Sequence, residues 1–549
     1  MKLTTCMGLL TVAALGPLGA RADVTFERLL HAPSEPQNWL TYSGGYASQR
    51  HSALREIKPS NAASLELKWV FQAQSLENFE TTPLVVDGVM YLTEAPNTAV
   101  ALDAATGRIF WRYQHNPAAG ARPCCGRVNR GLAILGERLY MATLDDDLIA
   151  LDATTGQPVW QKQIADPAVG YAMTLAPLVV KNKVIVGVAG GEYGIRGFIA
   201  AFDAATGEEV WRFYTIPAPG EPGAETWKDA GDAWRHGGAS VWLTGSYDAE
   251  LNLTYWGIGN PGPDWNPSQR PGDNLYSDSV VALDADTGKL KWHFQFTPND
   301  DYDYDSVQIP VLADLPTTSV TSGKLMLWAN RNGFFYVLDR TNGEFVRGQP
   351  FVKVNWASGL DERGRPIETP QPAGAVTYPG VQGGTNWYSP SYSPSTQLFY
   401  LSAWENYGSV FQPQQAEYAP GLQFHGGRYV SPIPGAAPLP RVRGPINNWT
   451  EALGNGAVLA IDPRTGAQRW RFPMADVSSS GILTTASDLL FTASRDGYFY
   501  ALDARDGKLL WRTTLGGVGA NGPMTYAAGG AQYVAVTSGN GLFVFGLRR

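Results

Sequence analysis

A phrase of the form Ala-Leu-Asp-Ala-x-Thr-Gly, followed by tryptophan, recurs along the chain and constrains its fold more than any other feature. The seven copies begin at Ala101, Ala150, Ala201, Ala282, Val337, Ala460 and Ala501. Six of them close on Trp111, Trp160, Trp211, Trp292, Trp470 and Trp511, and the fifth ends at Phe345 or Val346 instead. Each copy predicts a strand, a tight turn in which Asp caps the backbone and Gly takes a positive φ, and an outer strand. Repetition of this kind indicates an array of similar structural units.

Two more strand-like runs precede each copy, as in residues 82–92, so each repeat has four strands and forms a propeller blade. The chain ends with three such runs between Pro523 and Phe545, without a final tryptophan strand. Residues 65–69, which end in Trp69, supply that strand from the other end of the chain. We therefore predict an all-β, eight-bladed propeller with tryptophan-docking repeats, in which the N- and C-terminal strands close the last blade and remove its exposed edges.

Two parts of the array are longer than the others. The turn aspartates Asp103 and Asp152 are 49 residues apart, but 81 residues separate Asp203 from Asp284 and 123 separate Asp339 from Asp462. Long loops on a rigid scaffold commonly shape access to a site. No linker interrupts the repeats, so we expect residues 23–549 to form a single propeller domain.

The first 22 residues have the parts of a secretory signal peptide. Lys2 precedes an apolar stretch over residues 7–18, and Ala20-Arg21-Ala22 offers a small-residue cleavage site. The apolar stretch contains Gly and Pro and is too short for a transmembrane anchor. Without this segment the chain has 40 basic and 50 acidic residues, which argues against nucleic acid or an anionic membrane as partner. We expect a periplasmic protein without a membrane anchor.

Polar side chains cluster at two positions of the blades. The start of an innermost strand and the end of the next strand lie on the same face of an antiparallel blade, nearest the central axis. The inner-strand starts carry Glu80, Arg130, Thr174, Ser240, Trp242, Asp303, Asp305, Asn386, Trp387 and Asn521, and the second-strand ends carry Glu192 (after Gly190 and Gly191), Asn260 and Arg331. A purely structural propeller does not need such a ring of charged and amide groups at its axis.

Part of this ring is suited to a metal ion. Glu192, Asn260, Asp303 and Asp305 form an all-oxygen set, which favours a hard cation over zinc or copper. Taken alone, the acidic run 300–305 is more typical of a solvated turn, and its partners in other blades are what favour a metal site. Arg130, Arg331 and Glu80 indicate a ligand with carboxylates and polar ring groups, for which Trp242 offers a flat surface.

The cysteines indicate a local feature. Cys6 leaves with the signal segment, so Cys124 and Cys125 can pair only with each other. Adjacent α-carbons lie about 3.8 Å apart, below the roughly 4.4–6.8 Å usual for a disulfide, so a bond between them is not expected to staple the fold. The chain has no Cys-x-x-Cys-His motif for covalently attached haem.

The stretch Cys124-Cys125-Gly-Arg-Val-Asn-Arg130-Gly resembles a signature of the quinoprotein alcohol dehydrogenases, the methanol and ethanol dehydrogenases that use pyrroloquinoline quinone (PQQ). The resemblance covers nearly the whole chain after the signal segment. It implies that the Cys124–Cys125 disulfide covers one face of PQQ and that Trp242 stacks on the other. The implied cofactor-binding residues are Glu80, Cys124, Cys125, Arg130, Thr174, Gly190, Gly191, Ser240, Trp242, Arg331 and Asn386, and the implied metal ligands are Glu192, Asn260, Asp303 and Asp305.

The resemblance also implies a reaction. An alcohol would be oxidised to an aldehyde or ketone by hydride transfer to PQQ, with Asp303 as general base and the metal ion as Lewis acid. Arg331 would stabilise the charge on the reduced quinone oxygen. Because the chain lacks a haem motif, electrons would pass to a separate soluble cytochrome c or similar acceptor. A homodimer is compatible with the same resemblance.

Asp305 bears on the identity of the metal. A carboxylate two residues after the base resembles the lanthanide-dependent members of the family. Glu192, Asp303 and Asp305 would place three negative charges around one ion, which better balances a trivalent cation. We therefore favour a lanthanide, with calcium as the alternative.

Other readings remain open from the sequence. A secreted propeller scaffold that binds proteins would share the tryptophan repeats but would not need the cysteine pair or the axial ring. A propeller hydrolase with Asp303 and Glu192 as acid and base leaves the cysteines unexplained. Where related methanol enzymes place further tryptophans, this chain has residues 478–480 (Ser-Ser-Ser) and Gly539-Asn540, which favours a larger alcohol than methanol.

Overall fold

The computed structural model describes residues 23–118, 120–121, 123–229, 231–315, 322–430 and 453–548. The predicted signal segment, residues 1–22, lies outside these ranges. The described chain is almost entirely β-structure, and eight four-stranded antiparallel blades confirm the predicted propeller.

The strands follow the repeats closely. The chain begins with β1 (His51–Ser52) and β2 (Leu65–Gln72). Blade 1 contains β3 (Leu84–Val86), β4 (Val89–Glu94), β5 (Thr98–Asp103) and β6 (Ile109–Gln114), and blade 2 contains β7 (Ala133–Leu135), β8 (Arg138–Ala142), β9 (Asp147–Asp152) and β10 (Pro158–Gln163). Blade 3 contains β11 (Leu178–Val180), β12 (Lys183–Gly187), β13 (Phe198–Asp203) and β14 (Glu209–Tyr214), and blade 4 contains β15 (Ser246–Asp248), β16 (Leu253–Gly257), β17 (Ser279–Asp284) and β18 (Leu290–Gln295).

The second half repeats this order with two added hairpins. Blade 5 contains β19 (Val311–Asp314), β20 (Lys324–Ala329), β21 (Phe334–Asp339) and β22 (Phe345–Pro350), and it is followed by the hairpin β23 (Ala357–Leu360) and β24 (Pro366–Glu368). Blade 6 contains β25 (Ser391–Ser393), β26 (Leu398–Tyr407), β29 (Leu453–Ile461) and β30 (Gln468–Met474), with the hairpin β27 (Val410–Pro413) and β28 (Gly427–Val430) inserted in it. Blade 7 contains β31 (Ile482–Thr485), β32 (Leu489–Ala493), β33 (Tyr498–Asp503) and β34 (Leu509–Thr514), and blade 8 contains β35 (Met524–Ala528), β36 (Ala531–Ser538), β37 (Gly541–Leu547) and β2.

Helices are short and lie in the connections. The α-helix α1 spans Phe26–Leu30, and single 3₁₀ turns span Ala32–Ser34, Ala62–Ser64, Pro167–Val169, Gly191–Tyr193, Ala224–Thr226, Ala233–Arg235 and Pro267–Gln269. Across the described ranges, none of the helices combines the length and the apolar character that a membrane crossing requires.

The repeated turn explains how neighbouring blades dock. In blade 2 the Asp152 carboxylate accepts hydrogen bonds from the backbone N–H groups of Thr154 and Thr155, and Gly156 adopts φ +72°. A Cβ on Gly156 would lie 2.5 Å from the ring of Trp111, the tryptophan of the preceding blade. The Trp111 Nε1–H donates to the carbonyl of Ala153 at 3.1 Å. The glycine is therefore required both for the turn and for the tryptophan that packs on it.

The fifth repeat departs from the predicted ending. In blade 1 Trp111 pairs with Ala101, whereas in blade 5 the residue that pairs with the corresponding Val337 is Arg347. The prediction that Phe345 or Val346 takes the tryptophan position was therefore wrong, because the ladder of β21 and β22 has the same register shift as that of β5 and β6 and so places Arg347 opposite Val337. The next turn, at Gly466, packs against the side chain of Gln349 instead.

The two ends of the chain close the ring as predicted. Strand β2 pairs antiparallel with β37, with Trp69 opposite Val544. Trp69 then packs on the turn of blade 1, where a Cβ on Gly107 would lie 2.6 Å from its ring. Blade 8 therefore docks on blade 1 through the same contact between a tryptophan and a turn glycine that blades 1 to 4 and blade 6 make with the blades that follow them.

The segment before β2 has a role that the sequence did not reveal. This axial segment, residues 39–52, runs past the inner strands of successive blades. Its backbone contacts begin at Val85 in blade 1 and end at Thr484 in blade 7, as in Trp39 N–H to Val85 O at 2.8 Å and Thr484 N–H to Arg50 O at 3.2 Å. Arg50, which is 0% exposed, donates to the carbonyls of Gly522 and Pro523 at the start of blade 8. The axial segment thus ties the inner strands together from one side of the ring.

The two inserted regions meet over the opposite ends of the inner strands. We call residues 408–430, which include β27 and β28, the blade 6 arm. Its Phe424 N–H donates to the carbonyl of Glu192 at 2.7 Å, and its His425 carbonyl accepts from Trp265 N–H at 3.0 Å. Tyr418 stacks on His236 with ring centroids 3.5 Å apart. The arm therefore reaches from blade 6 to blades 3 and 4. The second inserted region also contains a Pro-rich stretch, residues 432–445, which lies outside the described residues.

Candidate active site

Arg130 organises one half of the polar ring. Its Nη2 lies 2.8 Å from Glu80 Oε2, and its Nη1–H donates to Thr174 Oγ1 at 2.9 Å. The guanidinium carbon lies 5.1 Å from the ring centroid of Trp242 and 4.7 Å from that of Trp387, within the range of cation–π contacts. Five blades thus contribute to one buried polar group with aromatic walls.

Arg331 organises the other half. Its Nη1 lies 2.6 Å from Asp305 Oδ2 and its Nη2 lies 3.2 Å from Asp303 Oδ2. The backbone N–H of Asn260 donates to Asp305 Oδ1 at 3.0 Å. The second-strand ends of blades 4 and 5 therefore converge on the start of the inner strand of blade 5, as the topology predicted.

The cysteine pair and Glu192 lie together. Cys124 and Cys125 form a disulfide, and Cys125 Sγ lies 3.6 Å from Glu192 Oε1. The turn that carries Glu192 needs its glycines, because a Cβ on Gly190 would lie 2.1 Å from the carbonyl of Gly170.

Ser240 and Asn260 border the same turn. A Cβ on Gly191 would lie 3.3 Å from Ser240 Oγ and 3.8 Å from Asn260 Oδ1. The disulfide therefore lies in one neighbourhood with Asn260 and the turn that bears Glu192. Blades 3 and 4 and the loop before blade 2 contribute to it.

Burial and crowding raise the affinity of the carboxylates for protons. Burial raises the pKa of Glu192 to about 7, and the charge of Asp305 adds to the effect. Burial also raises the pKa of Asp303 well above its usual range, although Arg331 opposes this. Carboxyl groups that lie close together with little access to water ionise less readily unless a positive charge lies beside them. The arrangement is therefore electrostatically suited to a cation.

Comparison with known proteins shows the family. The model described as the β-propeller domain of glucose, ethanol and alcohol dehydrogenases matches residues 39–355. The chain is 38% identical to the quinohemoprotein alcohol dehydrogenase ADH IIB of Pseudomonas putida, over 98% of this chain and 79% of that protein. It is 37% identical to the quinoprotein alcohol dehydrogenase PedH of Pseudomonas putida, over 95% of this chain and 89% of that protein.

The chain belongs to the PQQ-dependent alcohol dehydrogenases. A solved structure of a europium-containing methanol dehydrogenase superposes with a TM-score of 0.86 at 34% identity and covers 95% of this chain and 100% of that one. A shorter C-terminal stretch, residues 454–546, also matches the model of the outer membrane protein assembly factor BamB. Because the relatives that span the whole chain are dehydrogenases, the predicted enzyme class is confirmed over the scaffold and hydrolase alternatives.

The polar group that Arg130 forms with Glu80 and Thr174 in this dehydrogenase fits an anionic cofactor such as PQQ. Arg130 Nε is buried without an acceptor among the described residues, and Glu80 Oε2 has its ion pair but no well-aligned hydrogen bond there. A buried donor left unpaired costs about 1–3 kcal/mol, so a ligand that supplies acceptors at this place would be stabilised. Carboxylates and ring carbonyls supply such acceptors.

The residues Glu192, Asn260, Asp303 and Asp305 fit a hard cation, since the atoms that they offer as ligands are oxygens of carboxylates and one amide. Asp303 adopts φ +61°, a left-handed conformation that is uncommon outside glycine. Uncommon backbone conformations of this kind occur preferentially at functional sites.

Two members of the predicted ring make mainly local or backbone contacts. Asn386 Nδ2 donates to the carbonyl of Gln382 at 3.1 Å, and its Oδ1 accepts from the N–H of Trp387. Asn521 Nδ2 donates to the carbonyl of Glu80 at 2.7 Å. Asn521 therefore positions the backbone of Glu80.

The serines at the positions where further tryptophans were expected lie just before the inner strand of blade 7. Ser478 Oγ–H donates to the carbonyl of Ala493 at 2.8 Å, and Ser480 Oγ–H donates to the carbonyl of Asn521 at 2.8 Å. Both hydroxyls bond to backbone, whereas Ser479 is partly exposed. These two serines therefore hold the inner strands in place rather than add polar groups to a substrate pocket.

Sequence reasoning missed a buried group behind Asn260. Asp264 accepts a hydrogen bond from Asn260 Nδ2 at 3.1 Å. Arg270, which is 0% exposed, donates to the backbone carbonyls of Asp264 and Asp300 and so joins the loop after Asn260 to the loop before Asp303. The signal in the sequence was a carboxylate four residues after a candidate ligand, inside a Pro-rich loop that we interpreted only as an insertion.

Proposed function

We propose that this protein is a periplasmic dehydrogenase that oxidises an alcohol larger than methanol to an aldehyde or ketone, with Asp303 as the general base. The observation that carries the proposal is the Asp303–Arg331–Asp305 group beside Glu192 and Asn260, in which Arg331 and Asp305 are buried and Asp303 is partly exposed. A carboxylate whose pKa is raised by burial is a stronger base than an exposed one, so it is better suited to take the proton of an alcohol.

The roles of the other residues follow from their contacts. Arg331 holds Asp303 and Asp305 in place and brings a positive charge to the position where negative charge would develop. Glu80, Arg130 and Thr174 would hold PQQ, with Trp242 and the disulfide on its faces. When they are bound, PQQ supplies the two-electron acceptor and the metal ion supplies Lewis acidity.

A lanthanide is the metal that we favour. Glu192, Asp303 and Asp305 bring three carboxylates to the neighbourhood of Asn260, and a trivalent cation would balance their charge better than calcium. The similar methanol dehydrogenase that is described as containing europium supports this choice.

Access and electron transfer involve the rest of the chain. The blade 6 arm lies over Glu192 and Trp265, so we expect it to limit the size and shape of the alcohol. The signal-like residues 1–22 support export to the periplasm. We expect a soluble cytochrome c or a similar protein to take the electrons.

Reconstitution tests the proposal. The metal-free protein is loaded with PQQ and then with La³⁺ or Ca²⁺, and the reduction of an artificial dye is measured with a series of primary alcohols from methanol upwards. We expect activity with La³⁺ to exceed that with Ca²⁺, and kcat/KM to be higher for the longer alcohols than for methanol. Asp303→Asn should lose about 10²-fold or more in kcat while the absorbance of bound PQQ is retained.

Each part of the proposal can fail separately. Failure to bind PQQ would overturn the proposed reaction, and activity with Ca²⁺ alone would overturn the lanthanide. An active Asp303→Asn variant would exclude Asp303 as the base. A preference for methanol would contradict the proposed substrate.

A further inference from the structure

Asp264 is a buried carboxylate next to the centre to which the proposed function gives no role. It is 1% exposed and lies in the loop between β16 and β17, four residues after Asn260. Its Oδ1 lies 3.1 Å from Asn260 Nδ2. Its immediate partner is thus a residue of the candidate metal site.

This contact helps to fix which way the amide of Asn260 faces. Asn260 Nδ2 also lies 3.4 Å from the carbonyl of Pro261, and a carbonyl only accepts hydrogen bonds, so the edge of the amide that touches Asp264 is the NH₂ group. The amide oxygen then faces the other way, toward the turn that carries Glu192, where a Cβ on Gly191 would lie 3.8 Å from it. The reverse orientation would direct N–H groups at a cation, which an amide can bind only through its oxygen.

Arg270 holds the backbone at Asp264 in place. Arg270 Nη2–H donates to the Asp264 carbonyl at 3.0 Å and Arg270 Nε–H to the Pro263 carbonyl at 3.1 Å. The same guanidinium donates to the carbonyl of Asp300, in the loop that leads to Asp303. The hydrogen bond to Asn260 therefore comes from a rigid support and not from a mobile surface loop.

We infer that Asp264 is a positioning residue of the metal centre, which holds the Asn260 amide with its oxygen toward the cation. This inference rests on the proposed metal-dependent function. Partners of metal ligands commonly change metal affinity by about 10- to 100-fold when they are removed, because they fix the orientation of the ligand.

The test is Tb³⁺ binding to the PQQ-loaded, metal-free protein, followed by lanthanide luminescence in competition with a chelator. Two variants separate orientation from charge, because Asp264→Asn and Asp264→Ala both remove the charge but only Asn keeps an oxygen that can accept from Asn260. We expect Asp264→Asn to bind Tb³⁺ about tenfold or more tightly than Asp264→Ala. In an Asn260→Ala background the difference between the two should vanish, since Asp264 acts through Asn260.

Controls distinguish this role from a structural one. Asp146→Ala removes a buried carboxylate of blade 2 that has no hydrogen-bond partner among the described residues, and it should leave Tb³⁺ affinity unchanged. The inference would be overturned if Asp264→Asn and Asp264→Ala bound Tb³⁺ equally, or if their difference persisted without Asn260. Either result would leave the proposed function intact. If the wild-type protein binds PQQ but no Tb³⁺, the proposed lanthanide centre fails and the inference fails with it.

Discussion

Among single residues, His115 and Asp145 form an ion pair at the base of the loop that carries the disulfide. His115 Nε2 lies 3.0 Å from Asp145 Oδ2 and 3.6 Å from Asp147 Oδ2. The Asp145 carboxylate also accepts from the N–H of Ala118 at 2.8 Å. The hydrogen bond that His115 donates to Asp145 raises the pKa of His115, and the nearby charge of Asp147 adds to this. The pair therefore anchors residues 115–118, at the start of the loop that leads to Cys124.

The raised pKa makes this anchor dependent on pH. Because the pKa of His115 is higher in the folded than in the unfolded chain, its contribution is complete below the unfolded value of about 6.5 and is lost as pH rises through the folded value. We expect His115→Asn to destabilise the protein by about 1 kcal/mol at pH 6 and by less at pH 9. Thermal unfolding at a fixed scan rate and at both pH values measures this difference.

The exposed His31 provides the control for this prediction. Its Nδ1 contacts the carbonyl of Glu27 within the same helix, so His31→Asn should change the melting temperature little at either pH. A gap between wild type and His115→Asn that widens with pH would contradict the assigned ion pair.

Among the elements, the Asp-x-x-x-Gly turn acts both as a hairpin end and as a docking platform. Gly288 adopts φ +68°, and a Cβ there would lie 2.4 Å from the ring of Trp211 in the preceding blade. Gly88, in the turn between β3 and β4, has φ +85° but would meet no atom within 4 Å. Both glycines adopt a left-handed backbone conformation that disfavours a Cβ, but only Gly288 packs against a tryptophan.

This difference predicts two sizes of effect. Gly88→Ala should cost about 1–2 kcal/mol, which is the cost of a Cβ in the left-handed region. Gly288→Ala should cost about 1–3 kcal/mol more than Gly88→Ala, because the added methyl group overlaps the Trp211 ring. Chemical denaturation of both variants measures the two costs, and equal losses would show that the tryptophan contact adds nothing.

At the scale of the whole molecule, the ring depends on the pairing of β2 with β37, because these strands come from opposite ends of the chain. Trp69, in β2, packs on the turn at Gly107 and fixes this pairing against blade 1. The axial segment adds a second connection, through Arg50 and the carbonyls at the start of blade 8.

Removing Trp69 should therefore loosen the closure. We expect Trp69→Ala to lose about 3–5 kcal/mol and to speed amide hydrogen exchange in β2 and β37. Trp111→Ala is the matched control, since it removes the same contact between blades 1 and 2, and its effect should be confined to β5, β6 and the turn at Gly156. Exchange followed by mass spectrometry distinguishes the two patterns. Unchanged exchange in β37 of Trp69→Ala would show that Trp69 does not hold the closure.

The features that arise from local patterns could be predicted from the sequence. The turn chemistry and the period of the repeats identified the blades, and the unmatched strand at Trp69 identified the closure. Because the start of one strand and the end of the next always share a face, the ring with Arg130 and Arg331 could also be located. These features follow from a few adjacent residues repeated along the chain, so they need no knowledge of long-range contacts.

Only the tertiary structure decided the rest, because the rest depends on contacts between distant segments. Gln349 packs on the turn at Gly466, where most other blades use a tryptophan, and no pattern in the sequence marks that contact. The route of the axial segment and the reach of the blade 6 arm to Glu192 join residues that have no common pattern in the sequence. Asp264 acquires its role only when Arg270 and Asn260 are folded around it, since burial and hydrogen bonding, and not spacing, turn a loop carboxylate into part of a site.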